Sequence, residues 1–105
     1  MFTKDDWLPI GSVVMLEDGE RPIMVAGYMA LDGMSDRYYD YLGFPYPEGR
    51  LEDKDYFFDK SMIEEVELVG YYNEDTINFM KFLEDQEEHY LELRAEKEKQ
   101  GDKED

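Results

Sequence analysis

The chain has 105 residues, of which 28 are acidic and 11 basic, so its formal net charge is −17. This length corresponds to one domain. Because binding to phosphates requires clustered Lys and Arg, the composition argues against nucleic acid and against an anionic membrane surface as partners. The chain has no cysteine, which excludes disulfides, thiol nucleophiles and cysteine-ligated metals. The sequence contains neither an apolar run of membrane-spanning length nor a signal-peptide pattern, so we expect a cytoplasmic protein.

Aromatic residues make up 15% of the chain, and 15 of the 16 precede residue 84. Rings at this density supply enough apolar surface to fold a domain despite the high charge. Residues 1–83 hold 18 acidic and 7 basic residues, and residues 84–105 hold 10 acidic and 4 basic. We therefore predict a core domain at residues 1–83 that includes the start of a helix. An acidic helical extension with a frayed C-terminus follows at residues 84–105.

Two apolar, β-branched runs at residues 12–16 and 23–30 predict a pair of strands. Between them lies Asp18-Gly19, a dipeptide that favours a tight hairpin turn with positive φ at both residues. The sequence therefore predicts an antiparallel hairpin with Asp18 and Gly19 at its turn.

The aromatic-rich residues 37–44 predict a third strand, which Pro45 ends. Residues 56–58 and 66–69 predict two short strands, separated by a single helical turn within residues 59–65. Short strands at such intervals indicate an α+β fold. We expect a small, curled antiparallel sheet of four or five short strands, of which an SH3-like barrel is one form, followed by one C-terminal helix.

A helix is predicted from Asn73, which can cap its first turn, to about residue 97. The two acidic residues that follow Asn73 favour the positive end of the helix dipole. The helix carries one apolar stripe with a second beside it: the first contains Ile77, Met80 and Leu83, and the second contains Phe79, Phe82 and Leu83.

The single histidine, His89, is predicted to be a solvated surface residue, because it lies in a strongly charged helical segment. Metal ligation is the alternative, since Asp85 and Glu92 share its helix face at one-turn spacing. Gln86 stands where the Glu-x-x-His pattern of helical metal sites requires an acid. We therefore expect no metal site, no catalytic residue and no cofactor, and a non-enzymatic protein; a small enzyme using carboxylates is the least favoured class.

Tyrosine is unusually dense around the predicted third strand, and tyrosine is enriched at protein interfaces. The alternative is that any one of these rings fills the core. Because a strand buries only one of its faces in so small a sheet, we expect some rings to bind another protein while nearby carboxylates guide its approach. Self-association of two chains through the helix stays open. The predicted protein-binding residues are Tyr38, Phe44, Tyr46, Glu87, Glu88, Tyr90, Glu92 and Leu93.

Four ordered motifs carry a resemblance to a known family: Leu-Pro-Ile-Gly-Ser-Val-Val at 8–14, Tyr-Asp-Tyr-Leu-Gly at 39–43, Tyr-Pro-Glu-Gly at 46–49 and Tyr-Phe-Phe-Asp at 56–59. Over residues 8–83 the chain resembles the Firmicute family called domain of unknown function 4176. That resemblance implies an association with type VII secretion gene clusters, beside toxins bearing the LXG secretion domain. It implies a chaperone or adaptor role for such a toxin, and it supplies no catalytic residues. An acidic immunity protein that blocks a toxin's basic catalytic site is the alternative.

Overall fold

A computed structural model describes residues 2–103 of the protein. It confirms the predicted α+β arrangement, an antiparallel five-stranded sheet followed by one C-terminal helix. The strand order is β4-β3-β2-β1-β5. The elements are β1 (Val13–Leu16), β2 (Ile23–Asp32), β3 (Arg37–Pro45), β4 (Tyr56–Phe58), a 3₁₀ turn (Lys60–Met62), β5 (Ile63–Leu68) and α1 (Glu74–Lys103).

The sheet must be strongly curled, because its two edge strands are consecutive in the chain. In a flat five-stranded sheet, β4 and β5 would lie about 19 Å apart. Only residues 59–62 join them, and these include the 3₁₀ turn, which rises only about 2 Å per residue. The predicted curl is therefore required by the topology, whereas the SH3-like barrel form stays a prediction.

The predicted β1–β2 hairpin is confirmed, with Val14 opposite Ile23. Its turn is not the one predicted: Asp18 has a φ of 61°, but Gly19 lies outside the positive-φ region. The prediction of positive φ at Gly19 is wrong, because the connection at 17–22 is longer than a two-residue turn. A Cβ on Gly19 would come within 3.0 Å of the Leu16 carbonyl oxygen, so the glycine permits a close backbone approach.

Strands β2 and β3 form the longest pairing in the sheet. It runs from Ile23 opposite Pro45 to Asp32 opposite Arg37. The part of β3 near Arg37 extends beyond β4, which pairs only with Tyr41 and the two residues after it. Residues in this part of β3, such as Tyr38 and Asp40, contact the helix.

The segment before β1 is drawn into the core by tyrosine hydroxyls. Trp7 and Leu8 are buried, and Leu8 N–H donates to the Tyr41 hydroxyl at 2.8 Å. That hydroxyl donates to the Asp6 carbonyl at 3.1 Å, and the Tyr28 hydroxyl donates to the Leu8 carbonyl. Burial raises the pKa of Tyr28 to about 12 and also raises that of Tyr41. The hydroxyls of the half-buried Tyr28 and the buried Tyr41 therefore anchor this segment to β2 and β3.

Small residues, two of them within the sequence motifs, allow close packing. The buried Ser12 hydroxyl accepts from Gly70 N–H at 2.9 Å, and a Cβ on Gly70 would lie 2.3 Å from the Ile10 carbonyl oxygen. At Gly43, a Cβ would approach the Phe58 ring to 2.9 Å. These glycines are required by contact with neighbouring atoms rather than by turn geometry.

Helix α1 begins as predicted. The Asn73 side-chain oxygen accepts from Thr76 N–H at 3.1 Å, and the Thr76 hydroxyl accepts in return from Asn73 N–H at 3.1 Å. This reciprocal cap satisfies two backbone donors at the end of the helix.

The helix is longer than predicted, since it continues past residue 97 to Lys103. The predicted frayed C-terminus stays a prediction, and residues 104–105 lie outside the described residues. A long-range ion pair holds this part of the helix near the sheet, since the Lys97 ammonium lies 3.0 Å from the Asp36 carboxylate in the β2–β3 turn. The helix passes residue 84 without a break, and the division of the chain after residue 83 stays a prediction.

Candidate protein-binding surface

Two adjacent faces of α1 carry apolar and aromatic side chains, set by the spacing of three and four residues that brings helical side chains together. The inner face packs on the sheet and consists of Met80, Leu83, Tyr90 and Arg94. The second face, here called the outer stripe, is rotated from the inner face by roughly a quarter turn around the helix axis. Its members are all exposed and are Phe79, Phe82, Gln86, His89 and Leu93.

Tyr90 is a buried member of the inner face, with only 4% of its surface exposed. Its ring meets Trp7 and Tyr38 edge-on, at centroid distances of 6.3 and 6.2 Å. Its hydroxyl donates to Asp40 at 2.9 Å, and burial, with the Asp40 charge, raises the pKa of Tyr90. The prediction of Tyr90 as an exposed binding residue is wrong, because it lies two turns beyond the buried Leu83 on the same face.

A partly buried polar network fastens the inner face to the sheet. The Arg94 guanidinium donates to both carboxylate oxygens of Asp59, at 2.8 and 2.7 Å. Asp59 also accepts from Asp40 N–H at 3.0 Å, and Asp40 accepts from Lys60 N–H at 2.9 Å. Hydrogen bonding to Asp59 raises the pKa of Arg94. All four carboxylate oxygens are occupied, which suits this network to positioning α1.

This network was not predicted from the sequence. A signal was present, because Arg94 follows Tyr90 by four residues and therefore shares its helix face. Its acidic partners could not be identified in the same way. Asp40 and Asp59 are two of 28 acidic residues, and only the fold brings them together.

Neither a metal-binding cluster nor a membrane-spanning helix is found among residues 2–103. No group of three or more His, Asp or Glu side chains there could hold a metal ion. No described helix combines the length and the apolar character needed to cross a bilayer. The predicted placement of His89 at the surface is confirmed, and it lies on the outer stripe.

The outer stripe begins with two exposed phenylalanines. Phe79 is 44% exposed and Phe82 is 53% exposed. Their rings stack with centroids 5.9 Å apart, and the half-buried Tyr28 ring lies 5.7 Å from Phe79. Leaving a phenylalanine half exposed gives up about 1 kcal/mol of hydrophobic stabilisation. The three rings form a continuous apolar surface where α1 meets β2, and such surfaces mark interaction sites.

Acidic side chains border the outer stripe on the side away from the sheet. Asp85, Glu92 and Glu96 follow one another there at helical spacing and are exposed. None of the three forms an ion pair with the residues that the structure describes. By contrast, Glu87 pairs with Lys60 at 3.3 Å. The border of the stripe therefore carries three carboxylates that form no ion pair among the described residues.

The other sequence-predicted binding residues lie in two parts of the molecule, on α1 and along β3 with the turn after it. Leu93 belongs to the outer stripe and Glu92 borders it, whereas Glu88 is exposed on a different face of α1. Tyr38 is half-buried against Tyr90. The remaining two rings lie toward the other end of β3.

Those two rings differ in exposure: Phe44 is half-buried opposite Met24, and Tyr46 is half exposed in the turn after β3. Sequence reasoning missed Phe79 and Phe82 as surface residues. The signal was the pair of neighbouring stripes, because a helix that packs on one sheet buries only one of them.

A groove lies between the N-terminal segment and α1, with a volume of about 340 Å³. Its walls include Phe2, Tyr72 and Met80, and Trp7 forms part of its floor. Phe2 already packs edge-on against Tyr72, at 5.2 Å between centroids, and the Lys60 ammonium covers the Trp7 ring at 3.9 Å. Because these rings are engaged within the chain, this groove is a weaker binding candidate than the outer stripe.

These features define a small acidic α+β domain with a tightly packed core and an exposed aromatic stripe on its helix. The family model described as "Domain of unknown function (DUF4176)" matches residues 7–79, and the chain belongs to that family. No curated protein and no solved structure matches the chain.

Within the matched range, several motif residues are buried, among them Leu8, Ser12, Tyr41 and Phe58. The family motifs therefore describe how the core is packed. Of the outer stripe, only Phe79 falls inside the matched residues.

Proposed function

We propose that this chain is a non-enzymatic accessory protein that binds another protein through its outer stripe. Its role is that of a chaperone or adaptor, in the cytoplasm, for an LXG-type toxin of a type VII secretion system. The main support for the proposed binding function is that Phe79 and Phe82 are both exposed and stack on each other. The secretion context rests on the family resemblance.

The aromatic pair supports the proposal on energetic grounds. Phe79 is held in place by contact with Tyr28, and Phe82 stacks on Phe79, so little conformational entropy is lost when a partner covers them. Aromatic anchors near the centre of an interface each contribute about 1–3 kcal/mol of binding free energy. Two such anchors, with Leu93 further along the stripe, are sufficient for a specific contact.

The charge of the protein supports a basic partner. The formal net charge is −17, and Asp85, Glu92 and Glu96 at the border of the stripe form no ion pair among the described residues. A field of this sign accelerates association with a positively charged surface and makes the rate depend on salt.

The same charge favours the alternative function, an immunity protein that covers the basic catalytic site of a toxin. The two functions differ in the part of the toxin that is bound. A chaperone or adaptor contacts the secretion domain or the linker after it, whereas an immunity protein contacts and inhibits the catalytic domain.

The test is co-expression of the full chain with an LXG toxin encoded beside it, using the toxin's secretion and catalytic domains as separate baits. We expect the secretion domain to co-purify and the Phe79→Ala/Phe82→Ala variant to lose it. Tyr56→Ala is the matched control, because it removes a partly exposed ring on β4 that lies outside the stripe and is not a predicted binding residue. Capture by the catalytic domain alone would favour the immunity function. Failure of both domains to co-purify at any salt concentration would contradict the proposed binding function.

A further inference from the structure

We propose that the segment seated on the outer stripe is an amphipathic helix of the partner, with an apolar seam and Lys or Arg along one flank. This inference rests on the proposed protein-binding function and specifies the shape and the charge of what is bound.

The spacing of the outer stripe indicates a helical occupant. From Phe79 to Leu93 its members are separated by three, four, three and four residues. Alternation of three and four is the spacing along which a second helix packs by inserting side chains between those of the first. The stripe spans fifteen residues, and the fourteen rises between its ends give about 21 Å of helix, which corresponds to about four turns of a partner.

The composition of the stripe constrains the register of such a partner. Phe79 and Phe82 require apolar side chains opposite them, and so does Leu93 at the other end. Gln86 and His89 stand between these apolar ends and are exposed. Polar residues within a helical seam fix its register, because they must be matched by polar groups across the contact. The stripe therefore favours an occupant whose apolar ends flank a polar centre.

The surroundings of the stripe determine the partner's charge. On one side lies the sheet, where Tyr28 contacts Phe79. On the other side lie Asp85, Glu92 and Glu96, which form no ion pair among the described residues. A partner helix therefore needs basic residues along a single flank, the one that faces these carboxylates.

A second copy of this chain is a poor occupant. Residues 74–103 contain ten acidic and five basic residues. In an antiparallel pairing of two outer stripes, Asp85 of one copy approaches Glu92 of the other, and like charges are destabilising there. The charge pattern thus selects a different, basic chain over a homodimer.

The test uses two synthetic 21-residue helical peptides with the same leucine seam and polar centre, one with lysine and one with glutamate along a single flank. Each is titrated into the full-length protein at several salt concentrations, with amide chemical shifts and fluorescence anisotropy as readouts. We expect the lysine peptide to bind at least about tenfold more tightly, with shifts confined to the outer stripe. Phe82→Ala should weaken it about tenfold, and Tyr56→Ala by less than about twofold.

A charge exchange makes the test specific, because a basic peptide adheres weakly to any acidic protein. In the Asp85→Lys/Glu92→Lys variant we expect the preference to reverse in favour of the glutamate peptide. Equal binding of both peptides, shifts located elsewhere, or a dimer of the free protein that Phe82→Ala dissociates would each overturn the proposal. If the toxin's secretion domain requires Phe79 and Phe82 while neither peptide occupies the stripe, the helical occupant is wrong and the proposed function stands.

Discussion

Phe79–Met80 and Phe82–Leu83 are two pairs of neighbouring residues with opposite environments. Met80 and Leu83 are 6% and 3% exposed, whereas the phenylalanine before each is about half exposed. Packing alone would favour burial of the larger side chain at each pair. The helix instead buries the smaller one and presents the ring. A rotation of 100° per residue therefore separates the side chains that stabilise the fold from those available to a partner.

The inner face is also held more firmly than the outer stripe. Beyond Leu83 it continues with Tyr90 and Arg94, which bond to carboxylates on β3 and after β4. Of the outer stripe, Phe79 contacts the Tyr28 ring on β2, and no ion pair among the described residues joins the stripe to the sheet. The comparison assigns stability to one face and recognition to the other, and this assignment can be tested residue by residue.

The largest expected effect is at the hydrophobic centre of the inner face. Leu83→Ala removes a fully packed side chain and leaves a cavity, so the free energy of unfolding should fall by about 3 kcal/mol. The free energy of unfolding is measured by urea titration, with Trp7 fluorescence as the readout. A loss below about 1 kcal/mol would mean that α1 is not an integral part of the core.

A smaller loss is expected when the polar network is broken. Arg94→Met keeps the aliphatic stem but leaves the Asp59 carboxylate, a largely buried group, without its cation. We expect the free energy of unfolding to fall by about 2 kcal/mol. Amide exchange should accelerate in the second half of α1. Exchange that rises equally in the first turns of the helix would show that the network does not act locally.

A change of about 1 kcal/mol is expected from the hydroxyl of Tyr90. Tyr90→Phe keeps the buried ring but removes the hydrogen bond to Asp40, and one such bond contributes about 1 kcal/mol. In the Arg94→Met background the same substitution should cost a different amount, because both groups bond to Asp40 and interact with each other. Strict additivity in this double-mutant cycle would contradict a shared network.

Alkaline pH should weaken the core gradually. The pKa of Tyr28 is raised to about 12 in the folded protein, against 10 for the free side chain. The resulting stabilisation is complete below pH 10 and is lost as the pH rises from 10 to 12, because the unfolded chain ionises first. The urea midpoint should decrease over that range. Tyr28→Phe should make this decrease shallower, and an unchanged slope would contradict the burial of this phenol.

Much of the architecture was predictable from local patterns. The β1–β2 runs, the aromatic third strand and the Asn73 cap each depend on short stretches of sequence, where propensity and capping decide the outcome. The site was less predictable, because the rotation of α1 on the sheet decides whether Tyr90 or Phe82 is buried. That rotation depends on contacts distant in sequence, such as Arg94 with Asp59, which no local pattern encodes.

The most direct test of the account is to measure binding and stability in one variant, Phe79→Ala/Phe82→Ala, against the co-purifying toxin domain. The account predicts that binding weakens by about 1–3 kcal/mol per ring, while the free energy of unfolding changes by no more than about 1 kcal/mol. Unchanged binding would contradict the assignment of recognition to the outer stripe. A loss of stability as large as that of Leu83→Ala would contradict the separation of the two faces.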